Sequence, residues 1–348
     1  MRPITHLDRL VAMLALEALC ALAACSTPDG AGDSSGGGGN GGSSNGGSGG
    51  ASTQVGAGGA PVLPPIQALP ATAPVVCDGG LRPRAYILGA YHTILELDPE
   101  TLEMHSLGTF TCPPLYDQPM RMTVSQAGFA YLLFQDANIY RVDLTTLECT
   151  TTAYVPAQLG FDDRDQLIND LGSEWLAIAP SDDRLYMIGD TIKKPTLASS
   201  DLVDFELHQV GAIEPVFYVE PNFLTDMKMD AFGRIFALAY DGTLAQIDAT
   251  TGAVVAEDHT GFYANSGSYG GCAPALLPYD GALYLIGGCD DGILRYDLAT
   301  KALEPLGQLL ESVWAVSATA CVHAPSEPDA GADAAADAGA PASDAALE

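Results

Sequence analysis

Basic residues are scarce: the 348-residue chain has 14 Lys and Arg against 44 Asp and Glu, a formal net charge of −30. That balance excludes nucleic acid as a partner, because binding a phosphate chain needs cationic side chains to replace condensed counterions. It equally argues against electrostatic settling on an anionic lipid surface. Cations, neutral sugars and basic proteins remain as ligands. The sequence also lacks any C-x-x-C pair, and its 6 histidines are far apart, without metal-ligand spacing. No G-x-S-x-G, Walker loop or dinucleotide fingerprint falls in a usable context. No apolar run is long enough for a permanent membrane span, and Leu10 to Ala24 is instead of signal-peptide length.

What is present begins with that leader. Arg2 and Arg9 precede the apolar run, with Glu17 an atypical charge inside it. Leu22-Ala23-Ala24-Cys25 resembles a bacterial lipobox, which implies removal of residues 1–24 and lipid attachment at Cys25. Ordinary cleavage after Ala23 is the alternative, but it leaves a seventh, unpaired cysteine in an oxidising compartment. With Ser26 after the cysteine and no Asp, the resemblance implies an outer-membrane lipoprotein of the cell envelope, held to the membrane by its acyl chains.

Residues 25–76 read as anchor and linker. Gly30 to Gly59 is almost wholly Gly, Ser, Asn and Ala, too poor in apolar surface to fold, with a reach of about 30 Å. Pro61 to Pro74 stiffens the approach. Residues 326–348 read as a solvated acidic Ala/Asp tail without a basic residue. The expected folded domain is therefore 77–325, monomeric, with one sizeable core.

Within it a pattern recurs: Ala85-Tyr86-Ile87-Leu88-Gly89, Ala130-Tyr131-Leu132-Leu133-Phe134, Leu185-Tyr186-Met187-Ile188-Gly189, Ile235-Phe236-Ala237-Leu238-Ala239 and Leu283-Tyr284-Leu285-Ile286-Gly287. The period, roughly 45 to 55 residues, is that of a four-stranded propeller blade. A second strand follows and ends in an Asp-x-x-Thr turn at Asp98, Asp143, Asp248 and Asp297, where both side chains can bond the local backbone. The third repeat departs from this, with Asp201 and Asp204. Upstream of the repeats lie innermost strands, such as Met122 to Ser125 and Met227 to Asp230. The first repeat lacks one, and Trp314 to Cys321 is spare. The fold class predicted is all-β: a propeller of five four-stranded blades, closed when the C-terminal strand joins the first blade.

The cysteines fit this ring. A two-residue hairpin turn at Asp280-Gly281 sets Cys272 opposite Cys289 at a non-hydrogen-bonded pair, a separation that suits a bridge. Closure brings Cys321 beside Cys77, and Cys112 and Cys149 are left for each other. Phe110-Thr111-Cys112-Pro113, Ile139-Tyr140-Arg141-Val142-Asp143 with Cys149, and Ala318-Thr319-Ala320-Cys321 resemble uncharacterised propeller lipoproteins of myxobacterial type. The resemblance implies the fold and export, and no activity.

Ligands are expected on the propeller face formed by the loops leading into the inner strands and those joining second to third strands. These supply Tyr91, His92, Asp136, Asp162, Asp163, Asp165, Tyr218, Tyr263, Tyr269, Asp290 and Asp291. Aromatic rings beside carboxylates suit sugar recognition, although loops of an acidic exported protein carry such residues in any case. Asp162-Asp163-Arg164-Asp165 offers hard oxygens for Ca2+ but lacks the Gly and distal Glu of a calcium loop, so no cofactor is predicted. Asp226 and Asp230 lie on an inner strand, where Lys228 and Arg121 are expected to form internal ion pairs. The reading is a non-catalytic binding module for a carbohydrate or a protein. The alternative is a polysaccharide hydrolase using paired carboxylates, and a quinoprotein-like enzyme is a distant third.

Overall fold

The structure is a computed structural model that describes residues 63–68, 73–77, 83–113, 118–161, 175–179, 182–191, 194–214, 224–239, 241–262, 274–287, 292–309 and 313–323. Among the described residues, twenty strands form five four-stranded antiparallel sheets. From the axis outward, the first blade is β20 (Val313–Ala318), β1 (Ala85–Gly89), β2 (Thr93–Leu97) and β3 (Met104–Thr109). The second is β4 (Pro119–Val124), β5 (Phe129–Phe134), β6 (Ile139–Asp143) and β7 (Cys149–Thr151). The third is β8 (Trp175–Ile178), β9 (Leu185–Thr191), β10 (Lys194–Ser200) and β11 (His208–Ala212). The fourth is β12 (Leu224–Met229), β13 (Ile235–Ala239), β14 (Thr243–Ile247) and β15 (Val254–His259). The fifth is β16 (Pro274–Tyr279), β17 (Ala282–Gly287), β18 (Gly292–Tyr296) and β19 (Leu303–Gln308).

The innermost strands touch in a closed cycle: β20 with β4, β4 with β8, β8 with β12, β12 with β16, and β16 with β20. The second strand of each blade is covered on both faces by neighbouring blades. That is why β1 and β13 are buried along their whole length and read as unbroken apolar runs rather than alternating ones. The core is accordingly a set of layers between blades, for example Leu88, Ile94, Met122 and Leu132 between the first and second.

Every outer turn is built by one device. Asp98 Oδ1 accepts the backbone N–H groups of Glu100 and Thr101 at 2.8 and 3.2 Å. Asp143, Asp248 and Asp297 repeat the arrangement. The third blade departs in sequence only: Asp201 Oδ1 accepts from Val203 and Asp204, and the Asp204 carboxylate takes the place of the Thr hydroxyl by accepting Glu206 N–H at 3.0 Å.

The chain closes on itself at β1 and β20, from Ala85 opposite Ala318 to Gly89 opposite Val313. Behind that pairing Val76 bridges Val322, and a disulfide joins Cys77 to Cys321. A second disulfide joins Cys112 to Cys149. Cys272 and Cys289 lie outside the described residues, but the register from Pro274 opposite Gly287 to Tyr279 opposite Ala282 is the one a two-residue turn at Asp280 and Gly281 dictates. Both turn residues have positive φ, 45° and 81°, as a type I′ turn demands.

Packed chain also precedes Cys77. Residues 63–68 and 73–76, which composition assigns to the linker, are packed on the propeller: Ile66, only 1% exposed, joins the core layer of the fourth and fifth blades, and Val75 N–H donates to the Ala231 carbonyl. A few aliphatic side chains among prolines show neither strand nor helix periodicity, so the burial of Ile66 is not visible in the sequence.

Candidate ligand face

Second-to-third-strand loops and the connections into inner strands share one end of the ring. On the first blade, Gly89 pairs with Thr93, leaving the three-residue loop Ala90–His92. Tyr91 and His92 are both left-handed, at φ 57° and 59°. Two successive bulky residues in that region cost on the order of 1–3 kcal/mol each. The result is to hold the Tyr91 ring in solvent, 94% exposed. His92 turns inward instead: its ring stacks on Phe110 at 5.3 Å between centroids and meets Phe134 edge-on at 5.9 Å, while its carbonyl accepts Phe110 N–H.

The cluster continues into the second blade. Phe134 packs edge-to-face on Tyr140 at 4.9 Å, and the Tyr140 hydroxyl donates to Asp136 Oδ2 at 2.8 Å. Asn138 donates its side-chain amide to the same oxygen and its backbone N–H to Oδ1. His92 and Asp136 are therefore joined through two edge-to-face ring contacts and the Tyr140 hydroxyl. The Asp136 carboxylate thereby braces its own loop.

The register also shows a residue that pattern reading overlooks. Leu88 pairs with Ala315 and Gly89 with Val313, so Trp314 is the extra residue of a β-bulge. It stands 41% exposed at the same end of the first blade as the Tyr91 loop. A bulge leaves no mark on the sequence; the only available signal was a Trp, one of 2 in the chain, inside an inner strand.

The axial charges form internal pairs. Lys228 Nζ lies 2.7 Å from Asp226 Oδ1, and Asp226 Oδ2 accepts Leu276 N–H from the fifth blade at 2.9 Å. Burial pulls the Lys228 pKa down, the Asp226 charge opposes this, and Arg121 adds to the lowering. Arg121 donates to the Met120 carbonyl. Asp230 pairs not with Lys228 but with Arg234, through Nε and Nη2 both at 2.7 Å, and also accepts the Phe232 and Arg234 backbone N–H groups. Burial raises the Asp230 pKa against the pull of Arg234. It sits in the β12–β13 hairpin, at the opposite end from the Tyr91 loop.

Asp162, Asp163, Asp165, Tyr218, Tyr263, Tyr269, Asp290, Asp291 and Cys25 lie outside the described residues. Among the described residues, no group of three His, Cys, Asp or Glu side chains is placed to hold a metal ion.

No protein-family profile and no curated protein matches the chain. Solved structures with partial likeness include a chain of a nidogen/laminin complex, 11% identical, covering 68% of this chain and 98% of that one, with a TM-score of 0.42. A Bacteroides caccae protein of unknown function is 11% identical over 69% of this chain and 99% of its own, with a TM-score of 0.36. An engineered GH43 glycoside hydrolase is 15% identical over 57% of this chain and 43% of its own, with a TM-score of 0.38. The propeller described above rests on its own strand pairing rather than on these likenesses.

Proposed function

We propose that this chain is an exported, Cys25-lipidated binding module whose propeller presents aromatic side chains at the first blade to a carbohydrate. The observation carrying this reading is that Tyr91, 94% exposed, and Trp314, 41% exposed, lie at the same end of one blade. Flat aromatic faces bury the apolar faces of sugar rings, and the strained loop fixes Tyr91 before the ligand arrives, reducing the ordering cost of binding. A binding role rather than hydrolysis is favoured because both oxygens of Asp226 and of Asp230 already accept hydrogen bonds within the fold. Glycoside hydrolysis needs a separated acid and base free to reach substrate.

A glycan-array screen of the full chain, with product release followed in parallel, tests this. Binding without turnover is expected, and turnover would reinstate the hydrolase alternative. The anchor is tested separately by metabolic acyl labelling, which Cys25→Ser should abolish.

A further inference from the structure

The packed segment ahead of Cys77 is held in a way that resembles a bound peptide more than a chain continuing into a sheet. Ile66 joins the core layer of the fourth and fifth blades that also holds Phe236, Leu244, Leu276 and Tyr296. Around it four backbone groups are engaged in turn. Glu257 N–H donates to the Pro64 carbonyl at 3.0 Å. Ile66 N–H donates to Asp258 Oδ1 at 3.3 Å, and the Ile66 carbonyl accepts from Lys301 Nζ. Arg234 Nη1 donates to the Gln67 carbonyl at 2.7 Å. Lys301 and Asp258 are themselves paired at 2.7 Å, so donor and acceptor flanking Ile66 hold each other in place.

This set of contacts matches what a Pro-Pro-aliphatic segment can offer. Pro64 and Pro65 have no N–H, and the cleft demands none from them. Backbone contacts supply affinity and one apolar pocket supplies selectivity, the division of labour found in peptide grooves. We infer that the cleft between the fourth and fifth blades is a peptide-recognition groove for extended Pro-Pro-aliphatic segments, occupied in cis by residues 63–68. The segment is then a detachable latch: the Cys77–Cys321 disulfide lies on the propeller side of it and keeps the ring clasped when it leaves.

The test replaces residues 69–72 of the full chain with a site for a sequence-specific protease, so that after cutting only the groove holds the N-terminal fragment. We expect the fragment to co-elute with the propeller at micromolar concentration and to be displaced by excess synthetic peptide of residues 61–70. Asp258→Ala with Lys301→Ala should speed its loss by roughly tenfold or more, since charge-assisted bonds are removed. Circular dichroism of the uncut variant checks that the propeller itself is intact. A fragment that leaves the unmutated groove as soon as it is cut, or one that excess peptide does not displace, overturns the inference.

Discussion

The seam of the ring is the place to perturb the fold. Cys77 and Cys321 are separated by 244 residues, whereas Cys112 and Cys149 are separated by 37. A cross-link restricts the unfolded chain by an entropy that grows with the logarithm of the loop it closes. The seam disulfide should therefore contribute about 5 kcal/mol and the shorter one about 4 kcal/mol. Losing the seam bond also frees the segment that Val76 and Val322 hold together. Cys77→Ser with Cys321→Ser is thus expected to lower the thermal midpoint by about 10–20 °C, more than Cys112→Ser with Cys149→Ser does. Scanning calorimetry of both pairs, with urea titration under non-reducing conditions, measures the order. If the short-loop variant proves the less stable of the two, the seam is not what closes the ring.

Other outcomes follow from particular contacts. The turn carboxylates of Asp201 and Asp297 have pKa values lowered by the backbone N–H groups they accept, and that of Asp248 is lowered first by the Thr250 and Thr251 hydroxyls and then by the same backbone groups. Their contribution is present above the unfolded value of about 3.9 and is lost as pH falls through the lower folded values. The stability gap between the parent and an Asp201→Asn, Asp248→Asn, Asp297→Asn variant should be full at neutral pH and close in acid, as urea titrations across pH will record. Breaking the buried axial pair by Lys228→Ala should cost about 3–5 kcal/mol, while Asp226→Leu with Lys228→Met should recover much of it; denaturant midpoints decide. Gly211→Ala should be strongly destabilising, because an added methyl would meet the Thr251 carbonyl oxygen at 1.9 Å, where the third blade abuts the outer turn of the fourth.

The architecture was legible because a propeller repeats itself. Five Tyr- or Phe-centred strands and four Asp-x-x-Thr turns mark the blades, and the spare strand at Trp314 announces the closure. The third blade shows the limit of motif matching, since Asp204 reproduces the hydrogen bond of a Thr without resembling one. The candidate ligand face was legible only in part. Loop position alone brought Tyr91, His92 and Asp136 forward, but which ring faces water depends on two left-handed residues, and those follow from register rather than residue type. Trp314 and Ile66 were hidden for related reasons: a bulge turns one out, and a cleft assembled from two blades takes the other in.

The central claim is that an exposed aromatic pair at the first blade binds sugar. Its most direct test is calorimetric titration of the best array glycan into the parent chain, Tyr91→Ala and Trp314→Ala. Each substitution removes one stacking face, so the account predicts a loss of roughly tenfold in affinity for each, with the thermal midpoint unchanged for the fully exposed Tyr91. Unaltered affinity in both variants would place the ligand elsewhere on the propeller and contradict the account.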